Sequence, residues 1–99
     1  MNFPKFKKSL SGNQPPAASE YIQALWFAGK GEWDRSHKLI QDIVDKNAAW
    51  VHAYLHRKEG DIGNARYWYT RARQPEATDS LDAEWSRIVA ELLKAEASS

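Results

Sequence analysis

Cysteine is missing from the 99-residue chain. Its absence excludes a disulfide framework, a thiol nucleophile and any cysteine-ligated zinc or iron–sulfur site. Long apolar runs are missing too, since none approaches the roughly 20 residues a helix needs to cross a bilayer. The lysines between Met1 and Asn13 come without the apolar segment of a secretory signal, so the expectation is a soluble, cytoplasmic protein with no membrane partner. Neither sign of charge is in excess. Fourteen basic against thirteen acidic residues leave a formal net charge of +1, which supplies no global pull toward nucleic acid or membrane. Motifs that organise catalysis are also lacking: the run from Lys30 to Glu32 after Gly29 does not have P-loop spacing, and there is no nucleophile elbow or paired-carboxylate motif. Asp42 and Asp45 read as solvated helix charges. The expectation is a noncatalytic protein without a cofactor.

Aromatic bulk is what the chain has. Apolar residues make up 42% and aromatics 12%, with five tryptophans, enough large apolar surface for a folded domain. Its length suits one domain or a short repeat array. Charge is distributed in blocks: residues 1–19 sum to +3, 20–53 to −1, 54–74 to +3 and 75–99 to −4. The opposed last two blocks are suited to attract each other within one fold or between two copies.

Pro4, Gly12, Pro15 and Pro16 argue against a helix or central strand near the start, so residues 1–18 read as a flexible basic arm, with Phe3, Phe6 and Leu10 its only large apolar groups. From residue 19 to 96 the texture is helical. Ser19 is an N-cap candidate before Tyr21, Ile22, Leu25 and Trp26, and Gly29 and Gly31 close that segment. Trp33, Ser36, Leu39, Ile40, Ile43 and Val44 follow at the spacing of one buried helical stripe. Trp50, Val51, Ala53, Tyr54 and Leu55 form a third helix closed by Gly60. Asp61 caps a fourth with Ile62, Ala65, Trp68, Tyr69 and Ala72 inward, ending before Pro75. Asp79 or Ser80 caps a fifth carrying Leu81, Trp85, Ile88, Val89 and Leu92, and residues 97–99 form a tail. The fold class read from this is all-α, two antiparallel helical hairpins plus a C-terminal capping helix.

Sliding the chain by 29 positions aligns seven pairs: Tyr21 with Trp50, Ile22 with Val51, Ala24 with Ala53, Gly31 with Gly60, Glu32 with Asp61, Ser36 with Ala65 and Ile40 with Tyr69. The small residues permit close helix approach, the glycines permit positive φ in a tight turn, and the acids suit a helix N-terminus. Gly60, Asp61, Ile62, Ala65, Tyr69 and Ala72 resemble the second helix of a tetratricopeptide repeat, and Gly31, Glu32, Trp33 and Ser36 follow part of the same pattern. The resemblance spans about residues 20 to 73. That family repeats at about 34 residues, so a turn and a half of helix, or its equivalent in loop, is missing here. The first-helix pattern is also incomplete, with Gln23 and His52 where leucine is expected and His56 where an aromatic is usual.

The resemblance implies superhelical stacking and a protein- or peptide-binding scaffold whose first helices line a concave surface. Carried onto this register, the peptide-facing candidates are Tyr21, Leu25, Trp50, Tyr54, Arg57 and Lys58, a set suited to a peptide with an acidic group. The plainer reading is that the apolar four are core and the two cations a solvated helix end. Two repeats and a cap also leave apolar surface that invites a second copy, hence a possible homodimer. Two further readings compete. His52 and His56, four apart on one helix, are placed to share a metal, with His37 reaching them from the preceding helix; no H-E-x-x-H motif surrounds them, and exposed or structural histidines are the alternative. Arg66 to Arg73 interleaves arginines and aromatics, but on a helix only Tyr67 lies among the cations, which disfavours nucleic acid.

Overall fold

The computed structural model describes residues 1–98, and all regular structure among them is helical. The helices are α1 (Phe3–Ser9), α2 (Glu20–Gly29), α3 (Trp33–Ile40), α4 (Lys46–Lys58), α5 (Ile62–Ala72) and α6 (Leu81–Ser98). The all-α expectation holds, and no helix among the described residues is long and apolar enough to cross a membrane.

The 29-residue offset reappears as local geometry. Gly31 and Gly60 take φ of +80° and +88°, and the residues before them, Lys30 and Glu59, share a right-handed helical conformation. In the first turn Glu32 N–H donates to Phe27 O at 2.9 Å and Gly31 N–H to Ala28 O at 3.0 Å; in the second, Asp61 N–H donates to His56 O at 2.9 Å and Gly60 N–H to Arg57 O at 3.0 Å. Both helices thus end in the same Schellman arrangement, in which glycine escapes the Cβ penalty of the left-handed region. α2 packs on α3 and α4 on α5. Along these contacts Ala24, Ser36, Ala53 and Ala65 are all buried, and Ser36 Oγ–H donates to Ala24 O at 2.6 Å. Small side chains let the helix backbones approach, and the one hydroxyl among them is satisfied locally.

α4 is the centre of the molecule, touching α2, α3, α5 and α6. Every residue from Ala48 to His56 is buried, so this helix has no solvent face over most of its length. Its start is fixed by Asp45, whose carboxylate accepts from Ala48 N–H at 2.8 Å and also from the Tyr21 hydroxyl. That cap corrects two expectations. Asp45 is exposed, as expected, but serves as the N-cap of α4 and not as an idle helix charge, and α3 ends at Ile40 instead of running on through Val44, which is 85% exposed. A residue in the extended conformation of an N-cap cannot also continue the preceding helix.

The first eighteen residues also need correction. Residues 3–9 are helical despite the prolines, because Pro4 sits in the first turn, where its missing N–H is no loss, and Asn2 Oδ1 accepts from Lys5 N–H at 2.9 Å. Phe6 is fully buried with its ring 5.7 Å from that of Trp85 on α6, and Phe3 lies edge-on to the same indole at 6.2 Å. Trp26 Nε1–H donates to Ser9 Oγ at 3.2 Å. Among the described residues there are therefore six helices, not five. At the other end residues 97 and 98 belong to α6 rather than to a tail, and position 99 lies outside the described residues. The Ser19, Asp61 and Ser80 caps form as expected, on Ile22, Asn64 and Ala83 N–H respectively.

Candidate metal centre

The six residues selected for a peptide-facing surface do not share an open face. Leu25, Trp50 and Tyr54 are in the core, as the plainer reading had them, and Tyr21 is half-buried with its hydroxyl on Asp45. That hydrogen bond, then burial, pushes the Tyr21 pKa up to about 12. Arg57 does hold a carboxylate, but an internal one: its Nη1 donates to Glu84 Oε1 at 2.9 Å and its Nη2 to Asp79 O. Lys58 alone is exposed and without an ion pair among the described residues. The charge blocks at 54–74 and 75–99 meet within one chain, through Arg57–Glu84 and through Arg66–Glu76 at 3.1 Å.

The histidines converge. His52 and His56 are stacked along α4 with ring centroids 4.7 Å apart, and His37 from α3 closes the third side, 4.7 Å from His52 and 5.5 Å from His56. One nitrogen from each lies within 4.8 Å of the other two. His37 Nε2 and His52 Nε2 are 2.9 Å apart, so one donates and the other accepts, and a single proton lies between two neutral rings. His56 Nδ1 donates to Glu59 Oε1 at 2.9 Å. With its proton on Nδ1, the His56 ring presents a bare Nε2, toward which Asn64 Nδ2 points at a long 3.5 Å.

Two indoles enclose the cluster. Trp33 stacks on His37 at 4.8 Å and Trp68 on His52 at 3.9 Å, their planes tilted by 10° and 16°. Trp33 is anchored by its Nε1–H donating to Leu55 O at 2.8 Å, and Arg71 lies over the far ring, 5.4 Å from the Trp68 centroid. His52 and His56 are buried and His37 is half-buried. Comparison with protein-family models finds no match, and comparisons with curated proteins and with solved structures find none either. The reading of this centre rests on its own chemistry.

Burial, then the neighbouring imidazoles, lowers the His52 pKa from 6.5 to about 4, and burial followed by His56 lowers that of His37. Between those limits the unfolded chain binds a proton that the folded chain refuses. Stability is therefore full above pH 6.5 and falls as pH drops toward 4. Partial solvent access discounts the effect to about 1–2 kcal/mol for His52. Urea unfolding of the metal-free protein at pH 7 and at pH 4.5 should show that loss, and His52→Gln should flatten it.

The pairing of His52 with His56 was visible at four-residue spacing, and so was the reach of His37. Glu59 and the indoles carry no ligand signature of their own, though Trp33 stands four before His37 and Glu59 three after His56, each on the same helical face as its partner.

Proposed function

We propose that this is a small helical metal-binding protein that takes one ion of the zinc class through His37, His52 and His56. The observation that carries this reading is the convergence of three imidazoles, one from α3 and two from α4, with donor nitrogens within 4.8 Å. Zinc–nitrogen bonds are about 2.0–2.1 Å, so tetrahedral ligands sit about 3.3 Å from each other. The His37–His52 separation of 2.9 Å opens slightly to reach that value, while His56 closes. Glu59 on His56 Nδ1 supplies the carboxylate–histidine pairing that orients a ligand and raises its basicity. An all-imidazole set suits zinc, copper, nickel or cobalt, and lacks the oxygen donors that magnesium or calcium demand. A fourth position is left for water or an exogenous ligand. The reading assigns no catalytic step, and a cytoplasmic location is compatible with it.

The tetratricopeptide-like scaffold is the second reading. The paired Schellman turns and the buried small-residue seams support hairpins stacked in that manner. Its peptide-binding side is weaker, because three of its six residues lie in the core and Arg57 is engaged by Glu84.

The test is a titration of the full chain with Zn²⁺, and with Co²⁺ as a spectroscopic substitute. One equivalent should bind, with intense visible bands for four-coordinate cobalt. At a free zinc concentration one hundred times the dissociation constant, about 2.7 kcal/mol of stabilisation should raise the melting temperature by roughly 10–20 °C. His37→Gln, at the half-buried position, and His56→Gln should each weaken binding at least tenfold. Absence of the bands and of the thermal shift, or a shift indifferent to both substitutions, would end the proposal.

A further inference from the structure

On α4, Tyr54 stands two positions from both His52 and His56, which places it on the opposite face of the helix. There α1, α2, α4 and α6 surround a pocket of about 270 Å³. Tyr54 is 2% exposed, yet no hydrogen bond joins its hydroxyl to any other of the described residues. Every side-chain polar atom fully withdrawn from solvent among the described residues is bonded, so the Tyr54 hydroxyl is reached through the opening it lines. Lys7 and Lys58 are exposed on the lining, and neither joins an ion pair among the described residues.

We propose that this pocket binds a small organic monocarboxylate with an apolar body. Its carboxylate accepts from the Tyr54 hydroxyl beside the Lys7 and Lys58 ammonium groups, and its body lies against Trp85 and Leu10. The charge of the walls sets the valence. Asp82 also lines the pocket, so the walls carry a net charge of +1, which matches a monoanion better than a phosphate dianion. The volume lies just below the range of about 300–1,000 Å³ usual for drug-sized ligands, which restricts the body to about one ring. Trp85 is fixed as an apolar wall because its Nε1–H is engaged by Leu25 O at 2.8 Å. Gly29 makes room for that indole, since a Cβ there would come within 2.9 Å of Trp85 Cζ2. The α1 side is held by Lys30, whose Nζ donates to Leu10 O at 2.6 Å and Gly12 O at 3.1 Å. Burial first, and then Glu84 and Asp82, push the Tyr54 pKa up to about 12, so the group is a donor throughout the neutral range.

Benzoate is the probe, titrated into the full chain and followed by the Trp85 indole N–H resonance, with benzyl alcohol and inorganic phosphate as comparisons. A saturable shift is expected with benzoate, and binding at least about tenfold weaker with benzyl alcohol, which loses the charge-assisted hydrogen bonds. Tyr54→Phe keeps the ring and removes the donor, and should weaken benzoate about tenfold. Lys7→Gln, at an exposed position that leaves the core intact, should weaken it several-fold. No saturable shift with benzoate, equal affinity for the alcohol, tighter binding of phosphate, or unchanged affinity in both variants would each overturn the assignment.

Discussion

Replacing Glu84 by alanine is expected to lower the melting temperature by roughly 15–30 °C, through a loss of about 3–5 kcal/mol. Glu84 is fully buried on α6 and is held by two donors from two other helices: Arg57 on α4 and the Tyr69 hydroxyl on α5. Arg57 is itself only 17% exposed and spends its other nitrogen on Asp79 O. Removing the carboxylate leaves the Tyr69 phenol and the Arg57 Nη1 inside without an acceptor and the guanidinium without a counter-charge, and that desolvation, more than the lost attraction, sets the cost. Burial and the same carboxylate hold the Tyr69 pKa well above its ordinary value, so in the neutral range the phenol has a proton to donate. The triple substitution Glu84→Leu, Arg57→Leu and Tyr69→Phe removes all the orphaned groups together and should recover most of the loss. Thermal melts of the two variants check both halves. A small effect for the single change, or a triple variant no better than it, would mean that the network is not what joins α6 to the α4–α5 pair.

Much of the helical pattern was legible because it depends on short-range chemistry. Gly31 and Gly60, the Ser19 and Asp61 caps, and the small residues at Ala24, Ser36, Ala53 and Ala65 act within a turn or across one helix contact, and periodicity exposes them. Residues with long-range partners were misread. Arg57 looked like a free cation because its acid, Glu84, stands 27 positions away. Asp45 is the surface charge its sequence suggests, and its short-range cap on Ala48 is masked by a stripe, Ile43 and Val44, that points to a longer α3. The N-terminal segment was misread because composition weighed Pro4 as a breaker, whereas position makes it a helix starter. Of the candidate centre, the four-residue spacing of His52 and His56 was readable. The stacking of Trp68 on His52 was not, because it depends on how α5 lies across α4.

Trp85→Ala is expected to cost about as much as the loss of Glu84, about 3–5 kcal/mol, for a different reason. Trp85 joins three helices. Its indole packs against Phe3 and Phe6 of α1, sits over Gly29 of α2 where no Cβ intervenes, and donates to Leu25 O. Among the described residues α1 lies backbone to backbone against α6 alone, and reaches α2 only through side chains. Truncation to alanine therefore leaves a cavity and removes most of what holds α1, beyond the Trp26–Ser9 bond and the Lys30 bonds to Leu10 O and Gly12 O. Hydrogen exchange separates the two consequences. The amides of residues 6–10 should lose protection in Trp85→Ala by more than those of α4, which keeps its contacts with α2, α3 and α5. Trp85→Phe should keep α1 docked while losing only the indole hydrogen bond and part of the packing, about 1–2 kcal/mol. Uniform loss of protection across α1 and α4 alike would show that α1 is no separable unit and that Trp85 stabilises the whole bundle cooperatively.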